Sequence, residues 1–332
     1  MATFPTLVFG GATITAEDGS FSDAAEVSNL LETLKAEGIT QLDTAQSYGG
    51  GTSEQLIGQG MAKGLSDFLV DTKHVGGWAP GSSSRKEIFE RAITSLGRLG
   101  VEKVNNFYIH APDHKVPLEE TLGGINDLYE AGKFNNFGLS NFNAEEIKDV
   151  VRVAKENNYV LPTVYQGNYS AVARQLDYDI LPTLRENGIA FYAYSPIAGG
   201  FLTKTTAQLT SASGTKGEGR WDPKSPMGSF YHALYGKPTF FEALDKWNAI
   251  SDAAGIPKAA LAYRWVAFHS ALDARLGDGL VIGASSLNQV KQTAAALKAG
   301  PLPDDVAAQI SGLWEIVKND AVANNFDIMR ST

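Results

Sequence analysis

The sequence predicts an α/β fold of the eight-stranded (β/α)8 or TIM barrel class, with a long loop after strand seven and an additional C-terminal helix. Short apolar runs alternate with longer amphipathic ones along most of the chain, as in repeated βα units around a parallel sheet. The apolar runs number eight, and no break in composition divides residues 1–332, so they read as a single domain. A doubly wound sheet would more often carry a glycine-rich fingerprint after its first strand, whereas Gly49, Gly50 and Gly51 are followed by Glu54 where the third glycine belongs.

The strands are expected at Thr6–Gly10, Thr40–Asp43, Phe68–Thr72, Val104–Ile109, Asn135–Leu139, Thr163–Gln166, Ala190–Tyr194 and Gly279–Gly283. Helix starts lie between them: Asp23 with Glu26, Ser84 with Glu87, Asn143 with Glu146 and Ser286 with Gln289 each pair a capping residue with Glu or Gln three positions on. Gly38, Gly132 and Gly188 stand where helices should end in a left-handed residue. Ile88, Phe89, Ala92, Ile93 and Leu96 share one helical face, as a helix lying on a barrel requires. The segment Thr203–Thr239 breaks this rhythm and is expected as a long irregular loop, and Pro303–Val317 is a final amphipathic run.

Composition narrows the function. With 28 Lys and Arg against 37 Asp and Glu, the net charge of −9 repels phosphate backbones and anionic lipid, so no nucleic-acid or membrane partner is expected. Cysteine is absent, which removes disulfides, thiolate nucleophiles and zinc–thiolate sites, and no metal is expected. Neither a basic leader nor a stretch approaching ~20 apolar residues is present, so a cytoplasmic monomer or homodimer acting on a small molecule is expected.

In this fold class the chemistry gathers at the carboxyl ends of the strands. Asp43, with Tyr48 in the following loop, then Lys73, then His110, close strands two, three and four. Ser140 and Asn141, Gln166, Tyr194 and Ser195, and finally Ser285 follow the later strands. A tyrosine titrates near ~10 in water and is a poor acid at neutral pH, but an adjacent ammonium favours its phenolate. Lys73 can supply that charge, Asp43 can keep Lys73 protonated, and His110 can hydrogen-bond the phenol or a substrate carbonyl. No serine elbow or helical histidine pair offers a competing chemistry.

The stretches Leu42-Asp43-Thr44-Ala45 with Tyr48 and Gly49, Thr72-Lys73, Tyr108-Ile109-His110 and Gly138-Leu139-Ser140-Asn141-Phe142 resemble the aldo-keto reductases, most of all the branch of aflatoxin-aldehyde reductases and their fungal and plant relatives. The resemblance runs from about Leu7 to the last helix. It implies NADPH-dependent reduction of aldehydes and ketones, with a catalytic tetrad of Asp43, Tyr48, Lys73 and His110 and Tyr48 as proton donor. It further implies that Ser140, Asn141 and Gln166 hold the nicotinamide carboxamide and that the ring stacks on Tyr194. Ser195, Ile197 and Gly199 match the loop near the pyrophosphate, and Gly11 and Ala12 the loop after the first strand. Gly283, Ser285, Gln289, Gln292 and Thr293 fall in the segment that grips the adenosine end. Many relatives carry Lys or Arg where Gly283 and Gln289 stand, so Lys204, Arg220 or Lys291 are candidates for the positive charge that favours NADPH over NADH.

Each assignment has a plainer reading. Gln289 completes a capping box with Ser286, and Arg330 belongs to a tail that frays by default. Trp78, Phe142 and Trp221 are candidates for lining an apolar substrate pocket, although loop aromatics also serve as barrel-rim packing. The remaining histidines, His74, His114, His232 and His269, are expected to be structural or on the surface. Two other functions share this architecture: a cofactor-binding regulatory subunit resembling potassium-channel β subunits, and a Schiff-base enzyme in which Lys73 attacks a carbonyl.

Overall fold

The computed structural model describes residues 4–62, 67–210, 221–222, 224–322, 324–326 and 328. Eight parallel strands close into a barrel in sequence order: β1 (Thr6–Gly10), β2 (Gln41–Asp43), β3 (Leu69–His74), β4 (Val104–Ile109), β5 (Phe134–Ser140), β6 (Pro162–Asn168), β7 (Ala190–Tyr194) and β8 (Gly279–Ile282). β8 pairs with β1 through Thr6↔Gly279 to Phe9↔Ile282, which closes the ring. A closed ring leaves no strand edge unpaired.

Six helices alternate with the first seven strands on the outside: α1 (Ala24–Ala36), α2 (Thr52–Met61), α3 (Arg85–Leu99), α4 (Leu118–Glu130), α5 (Ala144–Glu156) and α6 (Ile180–Glu186). The expected caps form. Asp23 accepts from the backbone N–H of Ala25 and Glu26, Ser84 from that of Glu87, and Asn143 forms a reciprocal capping box with Glu146. Each is worth about 1 kcal/mol to its helix. Gly38, Gly132 and Gly188 adopt left-handed φ values of 82°, 67° and 66°, as their positions after helices required.

Two expectations change. Thr203–Thr239 is not irregular throughout, because it contains α7 (Thr206–Thr210) and α8 (Pro226–Tyr235), and the next helix, α9 (Pro238–Ala254), begins within it. Ser225 caps α8 by accepting from Gly228 N–H, and Pro226 occupies the first turn, where its missing N–H costs nothing. The connection to β8 is completed by α10 (Lys258–His269). After α11 (Leu287–Lys298), the run Pro303–Val317 is helical but divides into α12 (Asp304–Gly312) and α13 (Trp314–Val317). No helix among the described residues is long and apolar enough to cross a membrane.

Strand side chains alternate between two cores. Outward residues such as Phe9, Leu42, Phe107, Leu139, Phe191 and Ile282 pack under the helices. Inward residues Val8, Tyr108, Val164, Tyr192 and Val281 form a separate cluster that fills the barrel.

Candidate active site

The mouth of the barrel follows from this alternation. Two positions beyond Val8, Tyr108, Val164, Tyr192 and Val281 lie Gly10, His110, Gln166, Tyr194 and Gly283, which therefore face inward at the carboxyl ends of their strands. Lys73 lies at the centre of the polar set. Its ammonium is 2.6 Å from Asp43 Oδ2, donates to the Thr44 carbonyl at 2.9 Å and reaches the Tyr48 hydroxyl at 3.5 Å. Lys73 is 0% exposed and Asp43 2%. Burial opposes the charge on Lys73, but the Asp43 carboxylate and the Tyr48 phenol outweigh it, so the amine sits above the ordinary lysine value. A Schiff-base nucleophile must be neutral and accessible, and a buried, ion-paired ammonium is neither.

The second Asp43 oxygen accepts from Gln166 Nε2 at 2.9 Å, a bond that spans the barrel from β6 to β2. His110 stands edge-on to Tyr48, with ring centroids 5.8 Å apart and an interplanar angle of 79°. Desolvation, and after it the charge on Lys73, hold His110 well below the usual histidine value. Its imidazole is therefore neutral and carries one N–H donor.

Tyr48 begins a tight turn, Tyr48–Gly51, that leads directly into α2. Gly51 has φ +98°, and a Cβ there would lie 2.2 Å from Arg98 Nη1. Arg98 is in turn 3.2 Å from Glu54 Oε2, and Glu54 Oε1 accepts from Thr72 Oγ1 at 2.7 Å. The turn that carries Tyr48 thus rests on a half-buried ion pair whose buried carboxylate, Glu54, is anchored to β3.

The other half of the mouth is neutral. Asn141 has φ +62°, and its amide donates to the His110 carbonyl at 2.8 Å and to Ser140 Oγ at 3.2 Å. Tyr194 donates to Asn141 Oδ1 at 3.5 Å. Ser195 and Ala198 are left-handed with φ +58° and +50°, and Gly199 and Gly200 follow them, so the chain turns sharply around Ile197 immediately after β7. Three of the four left-handed non-glycine residues described, Asn141, Ser195 and Ala198, sit at these strand ends. Such strain gathers where a site needs a particular backbone shape.

The remaining candidates divide. Gly11 lies in the turn after β1, where a Cβ would be 3.0 Å from the Asp43 carbonyl, and Ala12 beside it is exposed. Gly283 leaves its Cβ position without a neighbour within 4 Å. Gln289 Oε1 accepts from Ser285 N–H at 2.7 Å and Ser285 Oγ at 3.0 Å, not from Ser286 N–H, so only the Ser286 half of the expected capping box forms, with Gln289 N–H donating to Ser286 Oγ at 3.3 Å. Gln292 is exposed and Thr293 buried on α11, and the Lys204 carbonyl accepts from Lys258 Nζ at 3.3 Å. Arg220 lies outside the described residues. Trp78 stands 6.0 Å from His110 between ring centroids, and its Nε1 is buried without a partner among the described residues. Phe142 and Trp221 are instead packed into the walls. Trp221 is 2% exposed, stacks on Tyr231 and donates from Nε1 to the Gly199 carbonyl at 2.9 Å.

Sequence reasoning missed four residues at the mouth: Asn168, Asn324, Asn325 and Phe326. Asn168 was within reach, since it lies two beyond Gln166 on the inward face of β6. It also missed Asp71, buried in the barrel two residues before Lys73.

Comparison with known proteins gives the family and the fold. The sequence profile described as the aldo/keto reductase family matches residues 6–315. An oxidoreductase, sirO, from Leptosphaeria maculans is 38% identical over 329 residues, covering 96% of both chains. Aflatoxin B1 aldehyde reductase member 2 of Rattus norvegicus is 35% identical, covering 92% of this chain and 84% of its own. An aldo/keto reductase from Klebsiella pneumoniae, solved with NADP and acetate, shares the fold with a TM-score of 0.68 at 22% identity, over 93% of this chain and 91% of that one. The chain belongs to the aldo/keto reductase family.

Proposed function

We propose that the protein, acting as one barrel domain, reduces aldehydes and ketones to alcohols with NADPH, and that Tyr48 is the proton donor. The observation that carries this reading is the contact of Lys73, itself buried, with Tyr48 at 3.5 Å and with the buried Asp43 at 2.6 Å. When Tyr48 releases its proton to the carbonyl oxygen, the phenolate left behind faces a permanent ammonium. At an effective dielectric of about 20, a charge pair at that separation is worth about 5 kcal/mol. Asp43 keeps the ammonium charged and fixed, and neutral His110 donates a hydrogen bond to the carbonyl oxygen as charge develops there.

The residues present fit a nicotinamide dinucleotide. Ser140, Asn141 and Gln166 present amide and hydroxyl groups at one place, and Tyr194 presents an aromatic face beside them. The open position over Gly283 and the N-terminus of α11, capped by Ser286, suit the phosphate end. When bound, the reduced cofactor supplies a hydride to the carbonyl carbon. The NADP held by the Klebsiella pneumoniae reductase and the aldehyde substrates in the names of the mammalian relatives support the same choice of cofactor and substrate class. Trp78, its ring 6.0 Å from that of His110 between centroids, supplies an aromatic wall on the substrate side.

Tyr48→Phe removes the transferable proton and little else. It is expected to bind NADPH as the parent does, measured by fluorescence, and to lose carbonyl reduction by about 10²–10⁴-fold. Full reductase activity in that variant overturns the assignment.

A further inference from the structure

Beyond α13, residues 324–326 touch four separate parts of the mouth. Asn324 Nδ2 donates to the Asn141 carbonyl at 2.7 Å. Asn325 Nδ2 donates to the Tyr194 hydroxyl at 3.0 Å, and Asn168 Nδ2 donates to Asn325 Oδ1 at 3.2 Å. Phe326, 2% exposed, meets Trp78 edge-on with ring centroids 4.7 Å apart. The bare Cα of Gly77 admits that ring, since a Cβ there would lie 2.6 Å from Phe326 Cζ.

These contacts matter most for Tyr194. It is the last residue of β7, and the left-handed Ser195 turns the backbone away at once, so its own strand does not support the tip of the ring. Its hydroxyl is held instead by two amides. It donates to Asn141 on one side and accepts from Asn325 on the other. Burial holds the phenol well above its usual value, so the hydroxyl stays neutral and keeps its proton for Asn141. Asn325 is itself braced by Asn168, so the linkage runs without a break from β5 through β7 and the C-terminal segment to β6.

We propose that Asn325 is a positioning residue for the cofactor: braced by Asn168, it fixes the Tyr194 ring in the orientation against which the nicotinamide stacks. The inference rests on the reading of Tyr194 as the stacking face. It gives the C-terminal segment a part in dinucleotide affinity in addition to forming a wall of the mouth.

The test is a double-mutant cycle in the full-length protein. NADPH dissociation constants are measured by quenching of intrinsic fluorescence, with a melting curve for each variant. Asn325→Ala and Tyr194→Phe are each expected to weaken NADPH binding about five- to tenfold, the value of one hydrogen bond. The double variant is expected to be no weaker than the poorer single, a non-additivity that general loosening of the tail does not produce. Asn325→Leu keeps the size but can neither donate to nor accept from Tyr194, and it serves if the alanine variant does not fold. Parent-like affinity without the Asn325 donor, or additive losses in the cycle, overturns the proposal. Tyr194→Ala separates the two levels. If it binds NADPH like the parent, the stacking assignment itself has failed; if it binds much more weakly while Asn325→Ala is unchanged, only the role of Asn325 has.

Discussion

Replacing Lys73 by Met keeps the length of the side chain and removes its charge, which makes it the sharpest probe of the proposed chemistry. Two separate losses follow from the geometry. The developing phenolate at Tyr48 loses an ammonium 3.5 Å away, worth about 5 kcal/mol at an effective dielectric of about 20. Carried fully into the barrier, that is a fall of between three and four orders of magnitude in the rate of carbonyl reduction. Asp43 meanwhile keeps its bond from Gln166 but loses the cation 2.6 Å from its other oxygen, while itself 2% exposed. Leaving a buried charge unpaired costs about 3–5 kcal/mol of folding stability.

The two effects separate in the double variant Asp43→Asn with Lys73→Met. Removing the stranded carboxylate is expected to restore most of the melting temperature and none of the rate. The assay is loss of nicotinamide absorbance in a single turnover with saturating NADPH and an aromatic aldehyde, run beside thermal melting. Lys73→Met activity within tenfold of the parent refutes the electrostatic role of Lys73. A double variant that recovers rate along with stability refutes the assignment of the two losses to different atoms.

Two further substitutions test the supports beneath the site. Asp71 is buried with no cation paired to it among the described residues, accepting instead from Gln41, Asn105 and Asn106, and burial, then the charge of Asp43, raise it to about 7. The folded protein thus holds a proton that the unfolded chain has released between about pH 4 and 7, and stability falls as pH rises through that window, by about 4 kcal/mol in all. Asp71→Asn should remove this slope from melting temperatures measured between pH 5 and 8, and an unchanged slope refutes the argument. Gly51→Ala forces a side chain onto φ +98° and into Arg98 Nη1 at 2.2 Å, so it should cost about 1–3 kcal/mol and lower kcat by disturbing the Tyr48 turn. A variant with parent melting and parent kcat shows that the turn does not need its glycine.

The barrel was legible in the sequence because a parallel sheet covered on both faces reads as apolar runs, and there are eight of them. The strand ends were less legible, and the reason is chemical. β3 continues through Lys73 and His74, β5 through Ser140 and β6 through Asn168, all polar residues that end the apolar signal before the ladder ends. The same polarity marked the candidate site, so Asp43, Lys73, His110 and Gln166 stand out by their positions just after the runs. α8 was overlooked because Pro226 and Gly228 resemble loop residues, although Ser225 before Pro226 is a start signal. Asn324, Asn325 and Phe326 carry no local signal. Their partners at the mouth, Asn141, Tyr194 and Trp78, lie more than a hundred residues away in sequence, and only the closed barrel brings them together.

Because the strands close in sequence order, the two halves of the mouth belong to two halves of the chain, and their electrostatics differ. β2, β3 and β4, with the loops that follow them, supply Asp43, Tyr48, Lys73 and His110, as well as Asp71 one layer below. β5, β6 and β7 supply Ser140, Asn141, Gln166, Asn168 and Tyr194, none of them charged. A proton donor needs fixed charge close by, whereas a stacked ring needs a flat face and amide partners with no competing ion. Placing both on one side would set the ammonium among the amides and weaken each function. Asn141 donates across the boundary to the His110 carbonyl at 2.8 Å, and one bond reaches across the barrel to a charged group, from Gln166 to Asp43 at 2.9 Å. Under the proposed reaction that bond ties the site of proton release to the carboxamide end of the cofactor, so a shift of either moves the other.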